Sequence, residues 1–543
     1  MAQSSRTALA GGAAADTGAP GDSGAAGDTS QPGGRRRTWR QLAPDPVRLS
    51  GVVTAVGATV WLTALPRIGT DLPAALARAN WARSYPDAAY LFSWYGGFHP
   101  AGYSLLAAYL LAAAGTRLAM AVAAVISAML LTSLLARHEV PRPTAAGLWA
   151  AAALWTELSA GRAAFTLGLA AGLGCLAIAD SSRPRRPARL AAAAALALLA
   201  CLLSPVAALF LGLAAIAIAL AGRWAEGIVI AAAAALPLPV MAIYSDGGTQ
   251  PIGPQAWLPP LIACAAAVAL IPRRWRMLRT GALLYGLAIL VAWRVPSPIG
   301  SNVERLGELA AGPLLAGMGR GRPRWLLAAG LAAAAVWQVA QPIADLSQGN
   351  APAYAPQTAA LVRELGRLHA SRARVEAVPQ YGHWESVDLA SAVPLARGWE
   401  RQLDLARNPL FYSGVLTPAK YYGWLRYNAV GYVAISASTP DFAAVGEAAI
   451  VRAGQPWLVP VWHDSFWQLY RVTGSTPLAG PPGTVVRTTP AQIVLRLSRA
   501  GTTIVRVHWS PQLRCPGASV SRRGPWAAVT VPRPGTYILS APY

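Results

Sequence analysis

The sequence predicts an α-helical polytopic membrane bundle of about eleven spanning helices, followed by a folded C-terminal region of α/β and β-sandwich character. Two observations predict this fold class. Between Gly51 and Gln341 the chain is a series of long apolar runs, whereas after Asp345 it has the composition of a soluble protein. Charged residues make up only 13% of the chain, against about 25% in ordinary soluble domains.

The formal charge of +23 would suit a nucleic-acid partner, but the arginines are distributed differently. Many of them occupy short loops between apolar runs, which is how membrane topology is encoded. The pattern therefore excludes nucleic acid as a partner and predicts a lipid bilayer instead. Residues 1–46 are rich in Gly, Ala, Ser, Asp and Pro and are expected to form a disordered cytoplasmic tail. Arginines at its end place it inside, and no cleavable signal peptide is visible.

A long first external loop is predicted at 67–117, and its segment 101–115 is expected to lie along the outer surface. At about fifteen residues this segment is short for a span of ~20. Counting it as a span would also move the later arginine loops outside. The remaining apolar runs give an odd number of spans, which puts the C-terminal region outside. They lie near 49–66, 118–136, 144–158, 163–180, 189–203, 205–222, 226–244, 257–271, 280–294, 306–319 and 324–342.

The domain organisation follows from changes in periodicity. The transmembrane domain is expected at 47–343, in a multi-pass plasma-membrane protein. Helical and strand-like segments alternate over 344–474, which predicts an extracytoplasmic α/β domain. The helices are expected near 355–372, 418–427 and 442–453, and the strands near 375–379, 430–436, 457–462 and 467–472. Beyond Pro477 the helical periodicity disappears, and short alternating strands separated by Gly/Pro turns predict a β-sandwich-like domain at 475–543. These strands are expected at 485–489, 492–498, 502–510, 527–531 and 536–540.

The predicted topology collects the polar residues of interest on the outer face. Asp71 follows the first span and suits a general base acting on an acceptor hydroxyl, or the N-cap of a helix beginning at Leu72-Pro73. His99 suits a phosphate contact or proton shuttle, or it fixes a Pro turn at the interface. Glu157 and Arg162 are candidates for substrate contact, and Arg162 suits bidentate phosphate binding, but together they also suit a salt bridge that closes a helix–helix turn.

Three further residues are candidates for substrate contact. Trp94 and Tyr95 suit stacking on a sugar face, although aromatic residues also populate membrane interfaces and pack loops. Arg305 lies at the outer end of a late helix, where a charge often simply extends its head group to water.

These segments resemble the GT-C superfamily of membrane glycosyltransferases. The likeness rests on one span, an external loop opening with Asp71, His99-Pro100 before a surface helix, Thr116-Arg117-Leu118 entering the next span, and the Gly161-Arg162 turn. The segments Pro394–Glu400, Asn408–Tyr412 and Ala429–Val433 are similar to uncharacterised actinobacterial membrane proteins of this architecture. The superfamily's paired acidic signature is reduced here to Asp71, with Asp87 sixteen positions later.

The resemblance implies a sugar transferase that uses a polyprenyl-phosphate donor. Asp71 would be the base, Arg162 and His99 would contact the phosphate, and the outer domain would hold a cell-envelope glycan, lipid or protein acceptor. No cofactor and no metal site are predicted, since nothing in the sequence indicates a divalent cation. The alternative is a non-catalytic transporter or envelope-assembly scaffold; a major-facilitator transporter would show two similar halves, and no such repeat is visible.

Overall fold

The apolar runs form helices whose ends coincide with prolines, glycines and arginines. The computed structural model describes residues 45–183, 185–318, 323–348 and 354–543. The predicted cytoplasmic tail, 1–46, falls outside these residues except for its last two positions. Up to Gln348 the helices are α1 Pro46–Thr63, α2 Leu72–Ser84, α3 Ala107–Ala114, α4 Thr116–Arg137, α5 Pro143–Ala160, α6 Ala163–Ala179, α7 Arg186–Leu203, α8 Pro205–Leu220, α9 Trp224–Ala235, α10 Leu238–Ile243, α11 Pro254–Leu270, α12 Arg276–Arg294, α13 Arg305–Met318 and α14 Arg324–Gln348.

All eleven predicted spans coincide with helices; the run 226–244 is divided into α9 and α10 next to Pro237, whose ring cannot continue the helical hydrogen bonding. Helix α3 has only eight residues, far fewer than the ~20 needed to cross a bilayer. Among the described residues, five helices are long and apolar enough to cross a membrane: Thr116–Arg137, Arg186–Leu203, Trp224–Ile243, Arg276–Arg294 and Arg324–Ser347.

The helix ends form two groups at opposite ends of the bundle. At one end, here called the arginine end, Arg189 lies 3.4 Å from Glu226, and Asp180 lies 3.3 Å from His138 and 3.6 Å from Arg223. These contacts join the turns after α4, α6 and α8. At the other end, here called the site end, Leu106 N–H donates to the Leu202 carbonyl and Gln250 N–H donates to the Ser297 carbonyl.

A four-stranded sheet follows the bundle. Its order is β1-β2-β4-β3, with β1 and β2 parallel and the other pairs antiparallel. The predicted helix 418–427 and strands 430–436 and 467–472 match the structure, whereas α16 and α17 were not predicted. The elements are α15 Tyr354–Arg367, β1 Arg374–Ala377, α16 Glu385–Ala392, α17 Arg401–Arg407, α18 Pro418–Tyr427, β2 Val430–Ser436, α19 Val445–Arg452, β3 Leu458–His463 and β4 Trp467–Val472.

Two three-stranded antiparallel sheets complete the chain, in the orders β10-β6-β5 and β7-β9-β8. Their buried faces share one apolar core, which includes Leu495, Val529 and Leu539. Strand β8 was missed because its residues are mostly polar and exposed. The strands are β5 Gly483–Thr488, β6 Gln492–Leu497, β7 Gly501–His508, β8 Ser519–Arg523, β9 Trp526–Val531 and β10 Gly535–Ser540.

The loop between α2 and α3 is built into these C-terminal sheets. Tyr90 and Phe92 belong to the apolar core that the two three-stranded sheets share. Ala89 N–H donates to the Ala541 carbonyl and Phe92 N–H to the Pro490 carbonyl, at 2.8 and 2.7 Å. The loop is therefore a fixed part of the fold that links the bundle to the C-terminal region.

Candidate functional site

Two tight turns meet at the site end. Gly69 and Gly161 both have positive φ, +106° and +77°, a conformation that glycine adopts without the Cβ penalty. A Cβ on Gly161 would lie 2.5 Å from Leu72 N, and one on Gly69 would lie 2.5 Å from the Ser159 carbonyl oxygen. The Asp71 N–H donates to the Ala160 carbonyl at 3.2 Å. This close backbone packing brings the turn that carries Asp71 against the turn that carries Arg162.

Asp71 occupies the N-cap position of α2, but its side chain makes no capping hydrogen bond. Oδ2 instead accepts a hydrogen bond from Nη2 of Arg305 at 3.0 Å. The side chain of Asp71 is 36% exposed and that of Arg305 is 11% exposed. Within the described chain Oδ1 of Asp71 has no hydrogen-bond partner, so one carboxylate oxygen is held by arginine and the other faces accessible space.

Arg162 joins two helices that sequence reasoning did not connect. Its Nη1 donates to Glu157 at 2.8 Å, as the salt-bridge interpretation expects, and also to Glu308 at 2.7 Å. Both contacts use the same nitrogen, and Nε and Nη2 make no hydrogen bond with any described residue. Two nitrogens of a largely buried guanidinium are therefore available to donate hydrogen bonds to a ligand.

These residues border a narrow, partly enclosed cleft that opens to solvent. Its charged lining residues lie on α2 and in the turns before α2 and α6, and its apolar lining residues lie mainly on α3 and at the start of α6, where they form an apolar wall. The cleft is lined by Asp71, Ala75, Arg78, Pro100, Tyr103, Ser104, Ala107, Ala108, Leu111, Gly161, Arg162, Ala163 and Ala164.

Arg78 is a cleft residue to which the sequence analysis gave no role. It is 5% exposed, and its Nη2 donates to Oε2 of Glu400 at 2.8 Å. Its guanidinium lies over the Tyr103 ring, 4.0 Å from the ring centre. Burial raises the pKa of Glu400, while the neighbouring Arg78 opposes that rise. The pair gives the cleft a fixed cationic group on α2.

His99 lies in a separate polar cluster. Its Nδ1 is 3.0 Å from Oδ1 of Asp246, and its Nε2 is 2.9 Å from Ser510 Oγ. Its backbone N–H donates to Oδ2 of Asp246 at 2.6 Å, and Arg407 donates to Oδ1 at 3.1 Å. His99 therefore ties the first loop to the α10–α11 connection and the C-terminal sheets, and it is not among the residues that line the cleft. Asp246 is the centre of this cluster.

Trp94 and Tyr95 are both buried, with 0% and 3% of their surface exposed. Trp94 stacks on Phe98 and donates to the Ser386 carbonyl at 3.2 Å. A Cβ on Gly398 would lie 2.2 Å from the Trp94 ring, so this segment packs directly on the indole. Their ring faces contact protein in this structure, as the loop-packing alternative expects.

Glu304 lies in the short turn of helix that precedes α13. Burial, with a contribution from Glu308, raises the pKa of its carboxyl to about 8. The residue directly precedes Arg305, the partner of Asp71.

The described residues contain no group of three or more His, Cys, Asp or Glu side chains arranged to hold a metal ion. The groups that the cleft offers a ligand are guanidinium donors, a carboxylate and an apolar wall. Those groups suit an anion attached to an apolar chain, since arginine binds phosphate through directed N–H donors.

No protein-family model matches the chain, and no curated protein matches it. Among solved structures, the chain is similar to the arabinofuranosyltransferase AftD from Mycobacteria, with 12% sequence identity and a TM-score of 0.40. The match covers 91% of this chain and 60% of that chain. The chain thus spans about three fifths of the length of the structure it matches.

Proposed function

We propose that this protein is a GT-C-type membrane glycosyltransferase, which moves a sugar from a polyprenyl-phosphate donor to a cell-envelope acceptor on the outer face of the plasma membrane. The observation that carries the proposal is the cleft at the site end. It combines a partly exposed carboxylate, Asp71, with the guanidinium groups of Arg78 and Arg162 and an apolar wall. A lipid-linked phosphate has the matching chemistry: a charged head group on an apolar chain.

The proposed topology places the arginine end in the cytoplasm and the site end outside. The arginines between α4 and α5, α6 and α7, and α8 and α9 gather at one end of the bundle, as the positive-inside rule requires of cytoplasmic loops. Helix α14 leads from that end toward the C-terminal region, where the Tyr381 hydroxyl donates to Asp345 at 3.5 Å. Both C-terminal domains then lie on the side of the cleft, with their boundary near 474.

In the proposed reaction, Asp71 takes the proton from an acceptor hydroxyl while that oxygen attacks the anomeric carbon of the donor. The bond between that carbon and the phosphate oxygen breaks, and the polyprenyl phosphate leaves with the bonding electron pair. Arg162, through its free Nε and Nη2, and Arg78 would offset the negative charge on the leaving phosphate. Arg305 would hold the carboxylate with its free oxygen toward the acceptor, and the outer domains would bind that acceptor.

The test is sugar transfer by the purified full chain in lipid nanodiscs, using a panel of radiolabelled polyprenyl-phosphate sugars and a membrane-glycan extract as acceptor. Asp71→Asn is compared with Asp87→Asn, which makes the same change at an exposed position of the same loop. Transfer that is lost only with Asp71→Asn supports the proposal. If transfer survives Asp71→Asn, Asp71 is not the base. If the wild-type protein is inactive with every donor, a transporter or scaffold is favoured.

Cysteine labelling tests the proposed topology. The four native cysteines are buried, so the reagent should react with an introduced, exposed cysteine. Ser498→Cys lies in the C-terminal sheets and Ser182→Cys at the arginine end, and both positions are exposed. A membrane-impermeant maleimide should label the first variant in intact cells and the second only after permeabilisation. The reverse pattern would invert the proposed orientation.

A further inference from the structure

The turn that carries Asp71 is held from the C-terminal α/β region by a segment far away in the sequence, 398–401. This segment contacts both Thr70, which precedes Asp71, and Arg78, which lines the same cleft. We propose that Trp399 and Glu400 are positioning residues that set the geometry of Asp71 and Arg78. The C-terminal region would then have two roles: it would set the geometry of the cleft and it would bind the acceptor. The catalytic consequence rests on the proposed function, whereas the positioning itself does not.

Trp399 acts on a single peptide group. Its Nε1–H donates to the Thr70 carbonyl oxygen at 2.5 Å, and the Asp71 N–H donates to the Ala160 carbonyl at 3.2 Å. The Thr70 carbonyl and the Asp71 N–H belong to the same planar peptide unit. Holding both of its polar atoms fixes that plane, and with it the direction in which the Asp71 side chain leaves the backbone.

Two polar side chains contact the indole. The His383 imidazole stacks on it with ring centres 3.5 Å apart and planes 11° apart, and the Arg401 guanidinium lies 4.7 Å from the ring centre on the indole. Asp441 joins these two neighbours: Arg401 donates to both of its oxygens at 2.7 and 2.9 Å, and His383 Nε2 lies 3.4 Å from it. Glu385 lies 3.4 Å from His383 Nδ1.

This arrangement restricts the orientation of the indole. His383, Glu385 and Asp441 are each at most 5% exposed, so the groups that clamp Trp399 have little freedom to move. Removing the indole N–H while keeping an aromatic ring would leave the clamp intact. It would release only the Thr70 carbonyl.

Glu400 acts on the other cleft residue of α2. It binds Arg78 at 2.8 Å, and its own backbone N–H donates to the Tyr95 hydroxyl at 2.9 Å. Tyr95 is 3% exposed, so the backbone that carries the Glu400 carboxylate is anchored in the core. Helix α2 is thus held at its start through Thr70 and two turns later through Arg78, both from adjacent residues of one segment.

A purely structural docking role would make a different prediction. Removing a docking contact lowers the thermal stability of the whole chain. It has no selective effect on the peptide unit of Asp71 or on turnover. A positioning role predicts faster hydrogen exchange of one amide, and it predicts that kcat and KM change by different factors. The two roles are therefore distinguishable in the intact protein.

The experiment compares Trp399→Phe with Trp462→Phe, a matched loss of an indole in the same region, and with Glu400→Gln. Hydrogen exchange of the 69–75 peptide is measured in nanodiscs together with transfer kinetics. In Trp399→Phe we expect hydrogen exchange in this peptide to rise about tenfold, because one hydrogen bond to the partly buried Thr70 carbonyl is lost. We also expect kcat to fall at least about tenfold with little change in donor KM, since small misplacements of a catalytic group are costly.

In Glu400→Gln we expect the donor KM to rise several-fold and kcat to change less. The reason is that Arg78 would contact the donor and would take no part in the proton transfer. Trp462→Phe should change neither quantity. Unchanged exchange in Trp399→Phe would overturn the positioning role. Faster exchange with unchanged kcat would reduce the segment to a docking contact. If the wild type transfers no sugar, the proposed function fails, and the exchange measurement still decides whether Trp399 holds the turn.

Discussion

Asp71 and Arg305 are 234 positions apart in the chain, and Nη2 of Arg305 lies 3.0 Å from Oδ2 of Asp71. The contact joins the first loop to the start of α13. Arg305 also lies over the Phe165 ring, 5.3 Å from its centre, so a third helix, α6, helps to fix the guanidinium. The pair lies at the edge of the cleft and leaves Oδ1 of Asp71 free.

Replacing Arg305 should affect transfer much more than stability. Asp71 is 36% exposed, and an ion pair of this exposure contributes only about 0–1 kcal/mol to folding. We expect Arg305→Met to shift the melting temperature by no more than a few degrees and to lower kcat ten- to a hundredfold, since the carboxylate loses its orienting partner. Thermal unfolding in detergent and transfer assays measure the two effects. Arg294→Met, at an exposed position, is the control; equal losses in both variants would contradict the assignment.

The turn at Gly161 should not tolerate a side chain. Its φ is +77°, and a Cβ would lie 2.5 Å from both Leu72 N and Leu72 Cβ. The left-handed conformation alone costs an L-residue about 1–2 kcal/mol, and the contact with Leu72 adds strain at the Asp71 turn. We expect Gly161→Ala to lower the free energy of unfolding by at least about 1–2 kcal/mol and to abolish transfer. Gly172→Ala has open space around it and should leave both unchanged; a similar result for the two variants would refute this account.

Arg397 should be essential for folding of the C-terminal α/β region. Its side chain is 3% exposed and pairs with Asp404 at 2.7 Å and Glu447 at 3.0 Å. Its removal leaves two buried carboxylates without their cationic partner, which typically lowers the free energy of unfolding by about 3–5 kcal/mol. Arg397→Met should therefore reduce the yield of folded protein or lower the melting temperature strongly. Arg426→Met, at an exposed position of α18, should behave like the wild type, and a stable Arg397→Met protein would disprove the prediction.

Glu376 should make stability depend on pH. Burial, followed by the neighbouring Glu447, raises the pKa of its carboxyl well above the ordinary value of 4.5. The folded state therefore favours the neutral acid, and this contribution to stability is complete below pH ~4 and is lost as the pH rises through the raised pKa. Glu376→Gln should melt higher than the wild type at pH 7–8 and close to it near pH 4. Melting curves across this range test it, with the exposed Glu139→Gln as control; a constant difference between variant and wild type would contradict it.

The cluster around Asp246 should control the order of the first loop. Asp246 binds the backbone and ring of His99 at 2.6 and 3.0 Å, and it binds Arg407 at 3.1 Å. We expect Asp246→Ala to increase hydrogen exchange over 96–103 at least several-fold, because a buried histidine and arginine lose their shared acceptor. Asp388→Asn, at an exposed position, is the comparison. Unchanged exchange over 96–103 in Asp246→Ala would show that the remaining contacts suffice.

The helices were predictable because their signal is local. Each apolar run is bounded by prolines, glycines or arginines within the window that forms the helix, so all eleven predicted spans coincide with helices. The strands 430–436 and 467–472 were predictable for the same reason, since alternation and β-branched residues are read over a few positions. Short α16 and α17 and polar β8 lack such periodicity and were missed.

The candidate site was predictable only in part. The sequence indicated Asp71, Arg162, Glu157 and Arg305 as outer-face residues, and the structure places all four around one cluster at the cleft. It gave no reason to join His99 to Asp246 or Trp399 to Thr70. Those contacts bridge more than a hundred positions, and a single sequence carries no local signal for them.

The sequence by itself determined an Ala/Leu-rich helical bundle, its arginine-bearing end and the mixed C-terminal region, because hydrophobic burial and periodicity act over neighbouring residues. The tertiary structure alone decided which oxygen of Asp71 is held and which is free, that Arg162 also binds Glu308, and that Trp399 and Glu400 reach α2 from the C-terminal region. These outcomes depend on how separately formed elements pack. Packing fits backbone against backbone, as at Gly69 and Gly161, and it sets side-chain partners that local sequence preferences do not specify.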